Sequence, residues 1–182
     1  MEITKLEIPE ILLIQPAIYE DERGFFLETY REEAYARAEI GPRFVQDNHS
    51  HSKMGTLRGL HYQLRQTQGK LVSVIEGRIF DVAVDLRTKS PTFGKWVGMY
   101  LTGERHEQLW IPQGFAHGFF VLSQTADVIY KVTDYYSKEW ERVLAWNDPE
   151  VGIRWPLINQ IPPTLSTKDA QGILLHECDH FE

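Results

Sequence analysis

Between Phe44 and Trp146 the chain is a succession of short runs in which apolar and polar side chains alternate, divided by turn residues such as Glu76-Gly77, Ser90-Pro91, Gly103-Glu104 and Pro112-x-Gly114. Period two is the signature of half-buried strands, and strands recurring at this spacing point to a sandwich or barrel. A helical period appears convincingly once in the first half, over Arg31 to Ala38, rich in Ala, Glu and Arg and stopped by Gly41-Pro42. Upstream, the apolar run from Lys5 to Tyr19 is broken by Pro9 and Pro16, which suits edge strands. Asp21-Glu22-Arg23-Gly24 makes a turn into a further strand, Gly24 to Tyr30, with Phe26 and Glu28 on one face. The runs Lys70 to Glu76 and Arg78 to Leu86 meet at Gly77 and predict a hairpin. Ser166-Thr167-Lys168-Asp169 predicts a helix start, with Ser166 as the cap and Asp169 in the first turn.

With 182 residues, 42% of them hydrophobic, the chain has material for one domain with a substantial core. A formal net charge of −7 argues against a nucleic-acid binder, whose phosphate contacts demand a basic surface. Any anionic ligand must therefore sit in a locally basic pocket. The single Cys178 rules out an internal disulfide and suits a reducing compartment. No apolar run approaches the roughly 20 residues of a membrane helix, and Met1-Glu2-Ile3-Thr4 has no signal-peptide pattern. The expected location is cytoplasmic.

The chemistry is concentrated in Arg58-Gly59-Leu60-His61-Tyr62-Gln63 and in Gln68-Gly69-Lys70 just after it. Strict alternation puts Arg58 and His61 on opposite faces unless a bulge intervenes, and Gly59 permits one. An imidazole, a guanidinium and an ammonium so close together suit proton removal beside a negatively charged group; read singly, each is an ordinary strand or turn residue. Pro112-x-Gly114-x-x-His117 places a histidine at the start of a strand, pointing inward, where it is either a core histidine or a site residue. Asp81 either orients a histidine or caps an edge. His49 and His51 share a face at i and i+2, but no acidic or thiol ligand follows at metal-binding spacing. Gln46 and Asn48 share the other face, where their amides suit a sugar or a base.

Pro112-x-Gly114-x-x-His117 resembles the second signature of the cupins, double-stranded jelly rolls that usually hold a metal. The first signature is broken, because His61-Tyr62-Gln63 stands where His-x-His would be and no glutamate follows at the customary spacing. Seven motifs in order complete the resemblance: Asp21-x-Arg23-Gly24-x-Phe26, Gln46-x-Asn48-x-Ser50, Arg58 to Gln63, Gln68-Gly69-Lys70, Asp81-Val82-x-Val84-Asp85-Leu86-Arg87, Ile111-Pro112-x-Gly114-x-x-His117-Gly118-Phe119 and Leu165-Ser166-x-Lys168-Asp169. Together they are similar to the dTDP-4-dehydrorhamnose 3,5-epimerases, metal-free cupins of nucleotide-sugar metabolism. The resemblance implies an all-β, cupin-type double-stranded β-helix (jelly roll) with a few short peripheral helices. It implies a single domain over residues 1–182, its core at about 20–147 and its segment 148–182 packed on that core and contributing Lys168 and Asp169.

The implied substrate is a dTDP-4-dehydro-6-deoxy sugar, in which C3 and C5 flank one ketone; the implied cofactor and metal are none. His61 would be the base, since an ordinary imidazole pKa of about 6.5 suits proton removal at neutral pH. Asp169 would fix its tautomer, Lys70 would face the enolate oxygen, and Tyr130 would reprotonate from the other side. Arg23, Arg58 and Lys168 would meet the diphosphate, and Glu28, Gln46, Asp47, Asn48, His117 and Glu141 the nucleotide or sugar. A homodimer through exchanged N-terminal strands is also implied. Monoepimerases and 3,4-ketoisomerases of the same scaffold remain open, as does a non-catalytic nucleotide-sugar-binding cupin.

Overall fold

The computed structural model describes all 182 residues. The alternating runs fold as strands: β1 Glu2–Lys5, β2 Leu12–Gln15, β3 Ile18–Asp21, β4 Gly24–Leu27, β5 Gln46–Lys53, β6 Leu57–Gln63 and β7 Lys70–Glu76, then β8 Arg78–Asp85, β9 Trp96–Thr102, β10 Gln108–Ile111, β11 Phe115–Val121, β12 Thr125–Val132 and β13 Glu141–Val143. One α-helix, α1 Glu32–Arg37, interrupts them, and Ile158–Gln160 and Asp169–Gln171 are single 3-10 turns. The helix expected from Ser166 is thus one turn, held by the Asp169 N–H donating to Ser166 Oγ at 3.1 Å. Glu32 and Glu33 in the first turn of α1 and Arg37 in the last oppose its dipole, and Tyr35 is the residue it buries.

Two antiparallel sheets face each other. One has the strand order β1-β2-β10-β7-β12-β5, the other β13-β6-β11-β8-β9, while β3 and β4 form a separate hairpin. This is the expected jelly roll. The hairpin predicted at Gly77 does not form, because β7 and β8 belong to different sheets. Gly77, at φ +84 and with Thr125 O only 2.2 Å from where a Cβ would stand, turns a corner between the sheets. Period-two patterning looks the same whether two successive strands pair or pack face to face.

Between the sheets lies a core of Val72, Val74, Ala126, Val128, Leu109 and Ile111 from one side, and Ile79, Ala83, Val97, Leu101, Phe115, Phe119 and Val121 from the other. β8 is buried from Ile79 to Asp85 without alternation, because its outer face is covered as well. The cover is the C-terminal segment. Val151, Leu175 and Cys178, with the partly buried Phe181, pack on Leu60, Tyr62, Phe80, Val82 and Val84. Each large apolar side chain fully buried this way contributes about 1.5–3 kcal/mol. Polar clasps hold the segment down: the Tyr62 hydroxyl donates to Asp179 O at 2.8 Å, and Arg142 Nε donates to Asp179 Oδ2 at 2.8 Å. The tail past Gly172 therefore backs the strand that carries His61. A third cluster, Ile14, Tyr35, Ile40, Leu71 and Trp110, seats α1 on the outer face of the six-stranded sheet.

Candidate active site

The site is shaped by a bulge in β6. His117 of β11 faces His61, and Phe119 faces Arg58, so two steps along β11 match three along β6. The extra residue lies at Gly59, where φ is +130 and a Cβ would stand 2.5 Å from Gly118 Cα and 2.8 Å from His117 O. No side chain fits there. The bulge has the effect the alternation allowed for: Arg58 and His61 line one chamber rather than opposite faces.

Two connected spaces open between the sheets at the β6 and β5 side. An outer cleft of about 280 Å³ is lined chiefly by Gln46, Asn48, Gln63, Gln68, Tyr136, Glu141 and Lys168. A chamber of about 100 Å³ is lined by Ser50, Arg58, His117 and Phe119. His61, Lys70 and Tyr130 line both and so form the passage between them. His61 comes from the five-stranded sheet, Tyr130 and Lys70 from the six-stranded one.

His61 Nε2 lies 2.5 Å from Asp169 Oδ1. Burial alone would raise the Asp169 carboxyl, but hydrogen bonds from His61 and Ser166 and the charges of His61 and Lys168 hold it below its ordinary value. An ionised carboxylate only accepts, so Nε2 carries the N–H and the lone pair of the neutral ring is on Nδ1. Nδ1 has no partner within the chain. The ring lines the passage, and its free nitrogen is Nδ1.

Lys70 is buried and donates from Nζ to His61 O at 3.2 Å. Burial pushes its pKa down to about 8, with the charges of Asp81 and Glu141 opposing. At neutral pH the ammonium is mostly charged, and the charge is lost as pH rises through about 8. His117 lies beside it, with Nε2 2.9 Å from both carboxylate oxygens of the fully buried Asp81. Burial holds His117 below its ordinary pKa despite Asp81, which favours the neutral ring. Asp81 therefore orients a histidine, one of the two roles the sequence left open. Tyr130 is raised by burial, with Arg58 and Lys168 favouring its phenolate, and its hydroxyl makes no hydrogen bond within the chain.

At the rim, Lys168 Nζ is 2.6 Å from Glu141 Oε1, and the Tyr136 hydroxyl donates to Glu141 Oε2 at 3.1 Å. Gln46 Nε2 donates to Asn48 Oδ1 at 2.8 Å, and the Tyr136 N–H to Gln46 Oε1 at 3.1 Å. Tyr136 thus lines the cleft and is about half exposed. Sequence reasoning passed over it, since an aromatic just past a strand end carries no periodic signal.

Other named residues lie elsewhere. Arg23, on the β3–β4 hairpin, pairs with Asp21, and Glu28, beyond that hairpin, pairs with Arg31. Neither lines the cleft or the chamber. Asp47 is on the outer face of β5, ion-paired with Lys131 at 2.9 Å, because alternation turns it away from Gln46 and Asn48. On that outer face His49 Nε2 and His51 Nδ1 flank the Asp127 carboxylate at 2.7 and 2.9 Å. Asp127 reaches them from a neighbouring strand, out of range of local spacing. No group of three His, Cys, Asp or Glu side chains is arranged to hold a metal ion.

The sequence profile of one family, described as dTDP-4-dehydrorhamnose 3,5-epimerase, matches residues 5–177. The chain belongs to the dTDP-4-dehydrorhamnose 3,5-epimerase family. Its members are isomerases, and a Pseudomonas aeruginosa enzyme of that name is 54% identical over 100% of this chain and 99% of its own. A dTDP-6-deoxy-D-glucose-3,5-epimerase from Legionella pneumophila Philadelphia 1, solved with dTDP-4-keto-L-rhamnose, superposes with a TM-score of 0.94 at 54% identity, covering 98% of this chain and 94% of the other. A 3'-monoepimerase from Streptomyces bikiniensis, solved with dTDP-quinovose, superposes at 0.87 with 32% identity, covering 94% and 87%. The same scaffold thus occurs in proteins described as a 3,5-epimerase and as a 3'-monoepimerase.

Proposed function

We propose that this chain is a dTDP-4-dehydrorhamnose 3,5-epimerase that converts dTDP-4-dehydro-6-deoxy-α-D-glucose to dTDP-4-dehydro-β-L-rhamnose. The observation that carries the mechanism is the passage itself: a base held by Asp169 on one sheet, and a phenol and an ammonium on the other, line one narrow space. His61 Nδ1 removes the proton from C3. The electron pair moves into the C4 carbonyl, and the developing enolate oxygen is met by the Lys70 ammonium, whose charge counts most in a site closed to water. Tyr130 then delivers a proton to the opposite face of C3, and Arg58 and Lys168 ease formation of its phenolate. Exchange with solvent resets both groups. The same ketone acidifies C5, so the cycle repeats there without any change of redox state.

In this reading Gln46, Asn48, Glu141 and Lys168 hold the nucleotide end, with the Tyr136 ring as a platform for the base. Lys168 on the cleft side and Arg58 on the chamber side take the diphosphate, and His117 lies beside the pyranose. Heavy water supplies the test. Turnover in D2O is expected to place deuterium at both C3 and C5, read by NMR of the product. Label at one carbon alone would make the chain a monoepimerase, and label at neither would leave only binding.

The proposed assembly is a homodimer in which the N-terminal strands are exchanged and the β3–β4 hairpin of a second copy brings Arg23 and Glu28 to the cleft. Tyr19, Phe25 and Phe26 support this, since they are exposed together on a hairpin that no sheet of its own chain covers. Sedimentation equilibrium is expected to give twice the 21.2 kDa chain mass; a monomer with full activity would remove the partner from the site. The reading extends to one catalytic unit over residues 1–182, core about 20–147, with segment 148–182 supplying Lys168 and Asp169. The contact between His61 and Asp169 across that division supports it. Cytoplasmic action is part of the proposal, and no helix is long and apolar enough to cross a membrane.

A further inference from the structure

Ser50 Oγ is buried and has no hydrogen-bond partner, one of two such side-chain atoms in the chain. It lines the chamber together with Arg58, Tyr130, Lys70, His61 and His117. A buried hydroxyl left unpaired costs free energy unless a ligand or water completes it. Its place along β5 narrows what that ligand group is. The inward side chains run Gln46, Asn48, Ser50, Ser52. Asn48 stands opposite Tyr130, and Ser52 Oγ accepts from Arg58 Nε at 2.9 Å. Ser50 therefore lies between the proton donor and the guanidinium proposed for the diphosphate.

We infer that Ser50 is a sugar-binding residue that hydrogen-bonds the C2 hydroxyl of the pyranose; this rests on the epimerase reading above. The substrate offers hydroxyls at C2 and C3, and the C3 hydroxyl moves when C3 inverts. A side chain on a strand paired along its length with β12 cannot follow that movement. The C2 hydroxyl keeps its configuration through both inversions. It is also the substituent next to C1, the carbon that bears the diphosphate and so lies toward Arg58. A serine hydroxyl both donates and accepts, which suits a hydroxyl partner. Ser50 would hold the ring in register while C3 and C5 pass in turn before His61 and Tyr130.

The test pairs Ser50→Ala with a substrate lacking the C2 hydroxyl, the dTDP-4-dehydro-2,6-dideoxy sugar, and with dTDP alone. Ser50→Ala is expected to lower kcat/KM about tenfold on the normal substrate. On the 2-deoxy substrate the variant and the parent should be equal within about twofold, and dTDP should bind both alike. An equal loss on both substrates, or no loss on the normal one, overturns the inference. So does weakened dTDP binding, which would assign Ser50 to a phosphate. If Ser50→Ala does not fold, Ser50→Cys, close in volume but a much weaker donor, takes its place with the same outcomes. Absence of turnover by the unaltered protein would instead reject the epimerase reading.

Discussion

Replacing His61 with Asn is expected to lower kcat by about 10³-fold, within the range positioned acid–base groups contribute, while dTDP binds nearly as before. His61 lines the passage, whereas the residues proposed to hold the nucleotide surround the outer cleft, so loss of the imidazole removes the proposed base and leaves that surface. Asp169→Asn sharpens the point. An amide in place of the carboxylate can donate to Nε2, which would move the ring proton to Nδ1, the nitrogen proposed to remove the substrate proton. That variant is expected to lose at least about tenfold in kcat with little change in KM. Single-turnover kinetics with dTDP titrations checks both. Wild-type turnover by His61→Asn would assign the base elsewhere.

Tyr130→Phe should separate two events that the intact protein couples. The phenol is the group on the far wall of the passage from His61, and no residue of the chain engages its hydroxyl. Without it, His61 still ionises the carbon acid, but the proton returns from the face it left. Inversion is expected to fall by about 10²-fold or more, while deuterium from D2O still enters at the carbon with retention. Following label and configuration in one NMR time course distinguishes these outcomes. If Tyr130→Phe inverts the sugar at the parent rate, the acid is another group; if exchange stops along with inversion, the phenol is needed for enolisation itself.

How far the site could be read from sequence depended on distance along the chain. Where a feature rests on neighbours in sequence it was legible: the bulge permitted by Gly59, the inward Gln46 and Asn48, the inward His117, the placement of α1. Where it rests on which strands lie side by side it was not. Local spacing could not pair His49 and His51 with Asp127, nor settle what Asp81 orients, nor show that Gly77 leads from one sheet into the other. Arg23 and Glu28 mark a different boundary, since the family resemblance names them for the site and the fold of one chain keeps them away from it.

Alternation and turn residues by themselves determined a β-sandwich or barrel, because strand periodicity and backbone freedom at glycine are local properties, and the ordered motifs, through the family they resemble, added the jelly roll and the side chains expected for enolisation. Only the tertiary structure decided that His61 meets Asp169 from 108 residues away, that the C-terminal tail backs the strand beneath it, and that a buried serine hydroxyl is left unpaired in the chamber. Those facts arise from the packing of two sheets against one another, where separation in space no longer follows separation in sequence.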